Sequence, residues 1–103
     1  MSTENIGEKL RKLREENELP LRKVAALIDI DVAILSKMER GERPLTKEVV
    51  NNLAKIYKYD EEELTILFLS QKILNEIGNE DLALKAMMVA EEQIKYQKTK
   101  KKK

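Results

Sequence analysis

The sequence predicts an all-α protein, and three observations support this fold class. Apolar residues recur at spacings of three and four along most of the chain, which is the period of an amphipathic helix. Helix-breaking residues are few, with three Gly and two Pro among 103 residues, and no stretch alternates apolar and polar residues long enough for a strand. The length suits one domain that buries a core without metal or disulfides. We therefore expect a five-helix domain with one additional C-terminal helix.

The first helix is expected to begin after Thr3 as its cap and to end at Glu16. Its buried stripe is formed by Ile6, Leu10 and Leu13. Asn17 is expected to adopt the left-handed conformation that ends the helix.

Two short helices are expected between residues 20 and 41. Pro20 suits the first turn of a helix because its missing N–H group has no intrahelical partner there. Asp29 suits a left-handed turn, and Asp31 is the predicted cap of the third helix. Gly41 is the predicted end of that helix.

The fourth helix is expected to be capped by Thr46 and to close the core with one apolar face. That face consists of Val49, Val50, Leu53, Ala54, Ile56 and Tyr57. The fifth helix begins after Asp60 with three Glu residues, which suits the positive end of a helix dipole. It is expected to end at Ile77, before Gly78.

The fifth helix carries two apolar stripes, and one core can cover only one of them. The first stripe is Leu64, Leu67, Phe68 and Leu74, and the second is Ile66, Leu69, Ile73 and Ile77. A last helix, from about residue 80 to 97, has its own apolar face, so residues 60–97 are read as a dimerisation extension. The predicted dimer interface is Ile66, Leu69, Ile73, Ile77, Met87 and Ile94. Alternatively, the last helix folds back on the fifth within one chain.

Charge is distributed unevenly along the chain. Residues 1–58 hold 12 Lys and Arg against 10 Asp and Glu, residues 59–96 hold 3 against 9, and residues 97–103 hold 5 against none. An acidic segment repels DNA, so a nucleic-acid surface is expected on residues 1–70. The Lys-rich tail, residues 98–103, is expected to be disordered, and either contacts phosphates non-specifically or is merely solvated.

Several functional classes are disfavoured by composition. Without Cys or His, a thiolate zinc site, an imidazole base and a His-ligated metal are all excluded. No P-loop and no pairing of a nucleophile with a base is present, so we expect neither enzymatic activity nor a cofactor. Uninterrupted apolar runs, such as residues 66–69, are far too short to span a membrane, and a cytoplasmic protein is expected.

Residues 21–40 resemble the helix-turn-helix of the Cro and phage-repressor family of DNA-binding regulators, also called the XRE type. The apolar positions of that pattern are occupied by Val24, Ala25, Ile28, Ile30, Leu35 and Met38. The run Ser36-Lys37-Met38-Glu39-Arg40-Gly41 is similar to the family's S-K-I-E-R-G ending. The resemblance covers about residues 6–70 and extends to the controller proteins of restriction-modification systems.

The resemblance implies a set of DNA-contacting residues on the third helix. The base-facing positions are Val32, Ala33, Ser36 and Lys37. Lys37 is the expected donor to guanine, whereas Val32 and Ala33 can only contact a thymine methyl or another apolar edge. On its own, Lys37 could equally be a solvated surface charge.

Phosphate contacts are predicted at Arg22, Lys23, Arg40, Arg43 and Thr46. Arg22 and Lys23 lie in the first turn of the second helix, where the dipole disfavours cations unless an anion docks. The family implies the contacts at Arg40 and Arg43, although plain surface charge is the alternative. It also implies an ion pair between Arg14 and Glu39 that holds the reading helix in place.

These residues predict a homodimeric regulator of transcription that binds double-stranded DNA at a palindromic operator, with no small-molecule ligand and no membrane partner. Whether it represses or activates stays open. The alternative function is an antitoxin or adaptor that binds another protein, with DNA contact secondary or lost. The apolar set Leu21, Val32 and Ala33 favours the alternative.

Overall fold

The computed structural model describes the backbone of residues 5–101 and the side chains up to residue 99. Within that range the chain is helical and contains no strand, which confirms the all-α class. The helices are α1 (Ile6–Glu16), α2 (Leu21–Leu27), α3 (Val32–Glu39), α4 (Lys47–Ile56), α5 (Glu61–Ile77) and α6 (Ala83–Lys101). None of these helices is long and apolar enough to cross a membrane.

Helix α1 begins at a capping box formed by Asn5 and Glu8. The Asn5 side chain accepts a hydrogen bond from the backbone N–H of Glu8 at 2.9 Å, and the Glu8 carboxylate accepts one from the N–H of Asn5 at 3.5 Å. The cap is therefore Asn5 rather than Thr3, which lies outside the described residues. The reciprocal bonds satisfy two backbone donors at once, an advantage that a Thr3 cap would not have with the same Glu.

Four helices end in the same way, with a residue of positive φ immediately after the cap. These residues are Glu18, Asp29, Gly41 and Lys58. In each case the next N–H bonds back to the carbonyl five residues earlier, as Leu19 does to Arg14 at 3.1 Å and Ile30 to Ala25 at 3.0 Å. The left-handed prediction is correct for Asp29 and wrong for Asn17, whose place Glu18 takes.

Asn17 uses its side chain, rather than a left-handed backbone, at the end of α1. Its side-chain amide donates to the carbonyl of Leu13 at 2.8 Å and to that of Tyr57 at 3.4 Å. These bonds use the Asn17 amide while its backbone stays at a φ of −87°. The left-handed residue therefore falls one position later, so that Leu19 can reach the core.

The core is built by α1 to α4 together with the first half of α5. The largest of the almost completely buried side chains within it are Leu10, Val24, Leu35, Val50, Leu53 and Leu64. Partly buried side chains from the turns, including Leu19, Ile30 and Tyr59, pack against this cluster. The turns therefore also contribute apolar contacts to the core. These contacts fix the directions in which α2 and α3 run after their turns.

The predicted caps of three later helices are confirmed. The Asp31 carboxylate accepts from the N–H of Ala33 at 2.7 Å, and the Thr46 hydroxyl accepts from the N–H of Val49 at 3.2 Å. The Asp60 carboxylate accepts from the N–H of Glu63 at 3.0 Å. Each bond satisfies a backbone donor that the first helical turn leaves unpaired.

Helix α5 buries only one of its two apolar stripes, as expected because one core cannot cover both. Leu64 and Phe68 are buried and Leu67 is partly buried, but Leu74 is 61% exposed. Leu74 therefore does not belong to the core stripe, because it lies beyond the last turn of α5 that the core covers. The second stripe remains largely exposed at Ile66, Leu69 and Ile73.

The chain divides into two compact units between Lys72 and Ile73, and the second unit contains α6. Helix α6 begins at Ala83 and ends at Lys101, so it starts later and ends later than the sequence suggested. Residues 98–101 continue the helix where disorder was predicted, since Lys is a good helix former and Thr99 donates its hydroxyl to the Lys95 carbonyl at 3.0 Å. Residues 102 and 103 lie outside the described range.

Candidate nucleic-acid interface

Helix α3 presents two chemically distinct faces. Leu35, Met38 and Glu39 are buried on the inner face. On the outer face Val32, Ala33 and Lys37 are exposed, and Ser36 is half-buried. The four residues predicted to face DNA bases therefore share the accessible side of one short helix. The face offers an ammonium group and a hydroxyl beside apolar groups, which together can donate to a base edge and contact a methyl group.

An ion pair attaches the end of α3 to α1. The Nε of Arg14 donates to Oε2 of Glu39 at 2.8 Å, and one terminal nitrogen donates to Oε1 at 3.1 Å. The other terminal nitrogen donates to the Leu19 carbonyl at 3.0 Å. The side chains are only 14% and 6% exposed, and the hydrogen bond with Glu39 raises the pKa of Arg14. These are the two residues that the family resemblance pairs, and their two-point geometry fixes the rotation of α3 as well as its distance.

A contact that sequence reasoning missed lies in the same interface between α1 and α3, about two helical turns from Arg14. Gly7 of α1 lies against the Glu39 carbonyl, and an added Cβ would overlap that oxygen and come within 3.1 Å of the Met38 carbonyl. A glycine inside an otherwise regular helical pattern was the available signal, because such a residue usually marks a close approach of backbone.

Tyr57 closes the same region from the end of α4. The residue is 3% exposed, and its hydroxyl has no hydrogen-bond partner among the described residues. Burial raises the pKa of Tyr57, and the nearby negative charge of Glu39 raises it further. Both effects penalise the phenolate, so the side chain remains neutral beside the ion pair.

Helix α2 packs against α3 and leaves its cations in solvent. Val24 and Ala25 are buried at the packing face, whereas Arg22 and Lys23 are exposed in the first turn. Leu21 is half-buried and packs against the core, so it is not a member of an exposed apolar set with Val32 and Ala33. Leu27, which the sequence analysis did not single out, is 58% exposed at the end of α2.

The segment between α3 and α4 carries the remaining predicted phosphate contacts. Arg43 and Thr46 are exposed, and the Thr46 hydroxyl already accepts the capping bond of α4. Arg40 is also exposed, but its Nε lies 3.2 Å from a carboxylate oxygen of Glu42. Because an exposed pair of this kind contributes little, a phosphate can displace Glu42 from Arg40 at small cost. Arg43 offers its charge without that competition in the described structure.

Two comparisons bear on what this arrangement is. No curated protein matches the chain at a significant level. A family model described as a helix-turn-helix domain matches residues 5–66, which span α1 to α4 and the first part of α5. The match therefore contains α2, its turn and α3, together with the helices that hold them, and it is consistent with the resemblance to XRE-type regulators. The chain belongs to the helix-turn-helix domain family, a family of DNA-binding domains.

Proposed function

We propose that this protein is a sequence-specific regulator of transcription of the XRE type that binds a palindromic operator as a homodimer. The observation that carries the proposal is the outer face of α3, where Val32, Ala33 and Lys37 are exposed. Arg14 and Gly7 contact Glu39 at the C-terminal end of the same helix and hold it against α1. A short helix held this firmly and exposed on one side suits insertion into the major groove.

Base recognition in this proposal is assigned to the outer face of α3. Lys37 donates a hydrogen bond to O6 or N7 of a guanine. Ser36 lies on the same face of α3 and can donate or accept a hydrogen bond at a base edge. Val32 and Ala33 contact thymine methyl groups. The apolar contacts discriminate less sharply than paired hydrogen bonds, so the deformability of the operator contributes the remaining specificity.

Backbone contacts are assigned to the cations that flank α3. Arg22 and Lys23 are exposed in the first turn of α2, before α3 in the chain, and Arg40 and Arg43 are exposed in the segment that follows α3. Contacts from both segments would fix the depth and direction of α3 in the groove without reading sequence. Each phosphate neutralised in this way makes binding weaker at higher salt.

The homodimer is supported by large apolar side chains that are exposed to solvent on α5 and α6. On α5, Ile66, Leu69 and Ile73 are 59%, 47% and 43% exposed, and on α6 Met87 and Ile94 are 42% and 53% exposed. Together with Ile77, these are the residues we assign to the interface between two copies. A two-fold dimer would place two α3 helices on one side of the duplex, about 34–36 Å apart, and would therefore bind an operator with the same symmetry.

Selection of bound sequences from a random duplex pool tests the proposal directly. We expect two inverted half-sites whose centres are about one helical turn apart, each with thymine at one or more fixed positions. The same selection with the triple variant Val32→Ser, Lys37→Ala, Ser36→Ala should yield no enriched sequence. Failure of the unaltered protein to enrich any sequence would contradict the proposal.

A protein-interaction module of the antitoxin or adaptor type is the second candidate function. The exposure of Leu27 on α2 and Val32 on α3 favours it, because large exposed apolar side chains also suit a protein partner. A titration with salt separates the candidates, since DNA binding weakens steeply with salt and apolar protein binding does not.

A further inference from the structure

One stripe of α6 has the spacing of a helix-pairing seam. Ala83, Met87, Ala90 and Ile94 follow one another at intervals of four, three and four residues, the pattern by which helices pack along a shared axis. Ala83 is half-buried, Ala90 is exposed, and Met87 and Ile94 are 42% and 53% exposed. We call these four residues the α6 seam. Its two large side chains alternate with two small ones along three turns of a 19-residue helix.

We propose that the α6 seams of two copies pack against each other in antiparallel orientation, with Ala83 of each copy opposite Ile94 of the other. This inference rests on the homodimer proposed above and adds its orientation and register. The occupant of the seam is a second copy of this chain, for two independent reasons that concern size and charge.

The order of small and large side chains along the α6 seam is complementary to the same order in a second copy that runs in the opposite direction. In the antiparallel register Ala83 meets Ile94 and Met87 meets Ala90, so every layer combines one large side chain with one small one. A parallel pair in register would set Met87 against Met87 and Ala83 against Ala83, which crowds one layer and leaves a gap in the next. Alternating large and small side chains fill the space between helices at the density of a protein interior.

The charge pattern also favours the reversed orientation. Glu80 and Asp81 precede α6, whereas Lys95 and Lys98 lie toward its other end. An antiparallel pair sets the acidic start of each helix beside the basic end of the other. A parallel pair would bring Lys95 and Lys98 of one copy beside the same residues of the other, at the interaxial distance of about 8–10 Å that packed helices have. This distance is comparable with the Debye length of about 8 Å at physiological salt, so the like charges would repel.

Cysteine cross-linking in the full chain tests the orientation, because the natural sequence contains no Cys. The variants Ala83→Cys and Ile94→Cys are prepared separately, then oxidised alone and after mixing. The two positions lie roughly 16 Å apart along one helix, at 1.5 Å per residue. We expect at least fivefold more disulfide-linked dimer in the mixture than in either variant alone. Equal or stronger cross-linking of the separate variants would overturn the proposal.

A second measurement keeps the test independent of disulfide chemistry. Met87→Glu places a charge in the seam, whereas Val89→Glu places the same charge on another side of α6, at a residue that is 57% exposed. By sedimentation, Met87→Glu should raise the dimer dissociation constant at least tenfold, and Val89→Glu should change it less than twofold. Equal effects of the two changes would contradict the seam.

The results separate this inference from the proposed function. If the unaltered protein is dimeric and selects an operator but the mixed variants fail to cross-link preferentially, only the antiparallel seam is wrong. If the mixed variants cross-link as expected but the unaltered protein selects no DNA sequence, the seam stands and the proposed function is wrong.

Discussion

Gly7 of α1 lies directly against the backbone carbonyl of Glu39 at the end of α3, in a space that no side chain can share. Seven residues later on the same face of α1, Arg14 holds the Glu39 carboxylate. Helix α1 therefore contacts both the backbone and the side chain of a single residue. Two contacts of different kinds on Glu39 leave α3 little freedom to tilt or rotate.

The variant Gly7→Ala should destabilise the protein by about 2 kcal/mol. Alanine is the better helix former by about 1 kcal/mol, but the added methyl group would overlap a backbone oxygen and must displace the end of α3. Overpacking against backbone costs the upper end of the usual range, about 3 kcal/mol, so the difference is about 2 kcal/mol. The free energy of unfolding measured in urea checks the sign. Gly41→Ala is the control: it adds a methyl group in open space at a φ of +76°, so it should cost about 1 kcal/mol through the backbone alone. A stabilised Gly7→Ala variant would show that α1 and α3 do not touch there.

The variant Arg14→Met should lower the free energy of unfolding by about 3 kcal/mol. It leaves the Glu39 carboxylate buried without its cation, and the loss of one partner is costly in such a setting. The matched control is Arg11→Met on the same helix, which breaks the pair with Glu15 whose side chains are 63% and 55% exposed. That change should cost less than about 0.5 kcal/mol. Similar losses in the two variants would contradict a special role for the Arg14 pair.

Stability should decline above pH 10 in a way that depends on Tyr57. Burial raises the pKa of Tyr57 above its ordinary value of 10.0, so the unfolded chain releases the phenolic proton at pH values where the folded protein keeps it. This contribution is complete below pH 10 and is lost with rising pH, at up to about 1.4 kcal/mol per pH unit. In urea titrations between about pH 9 and pH 11, Tyr57→Phe should flatten the decline. An unchanged slope in Tyr57→Phe would refute the assignment.

The variant Lys37→Ala should weaken binding to the selected operator by about 1–3 kcal/mol and relax the preference at one base position. Lys37 is exposed on α3 and lies outside the core, so the fold is expected to remain intact. Competition binding against operators substituted at each position locates the lost preference. A uniform loss across all sequences would instead assign Lys37 to a phosphate.

The variant Arg43→Ala should lower affinity equally for every duplex and reduce the salt dependence by about one unit of log–log slope. Lys55→Ala removes the same charge from the last turn of α4, an exposed position that we do not assign to DNA. Mobility shifts at several salt concentrations give both slopes. If Lys55→Ala reduces the slope as much as Arg43→Ala does, the effect is due to net charge and the contact at Arg43 is refuted.

Most of the fold was predictable because periodic burial and capping leave local marks. The stripe of Ile6, Leu10 and Leu13 and the caps Asp31, Thr46 and Asp60 follow from neighbouring residues alone. The turn after α1 was not predictable in this way. Asn17 is the better left-handed residue by intrinsic preference, but its amide bonds across to the Tyr57 carbonyl, 40 residues away in sequence, and Glu18 takes the strained place.

The candidate site shows the same division between local and long-range causes. The exposed positions of α3 follow from its helical period once its buried residues are known, and the resemblance supplied the pairing of Arg14 with Glu39. The space occupied by Gly7 depends on where the end of α3 meets α1, which no local pattern specifies. The pairing of Arg40 with Glu42 was also missed, because exposed ion pairs have no strong sequence signature.

The turns at Glu18, Asp29 and Lys58 hold residues with side chains in a conformation that glycine adopts without strain. The domain has therefore not reached its maximum stability, and it retains sites where one simple replacement would compensate for a loss elsewhere. Under the proposed function, changes on the outer face of α3 that alter operator choice could accumulate while such replacements restore stability. A lineage of such proteins would then be free to acquire new DNA targets while the scaffold that presents them stays folded.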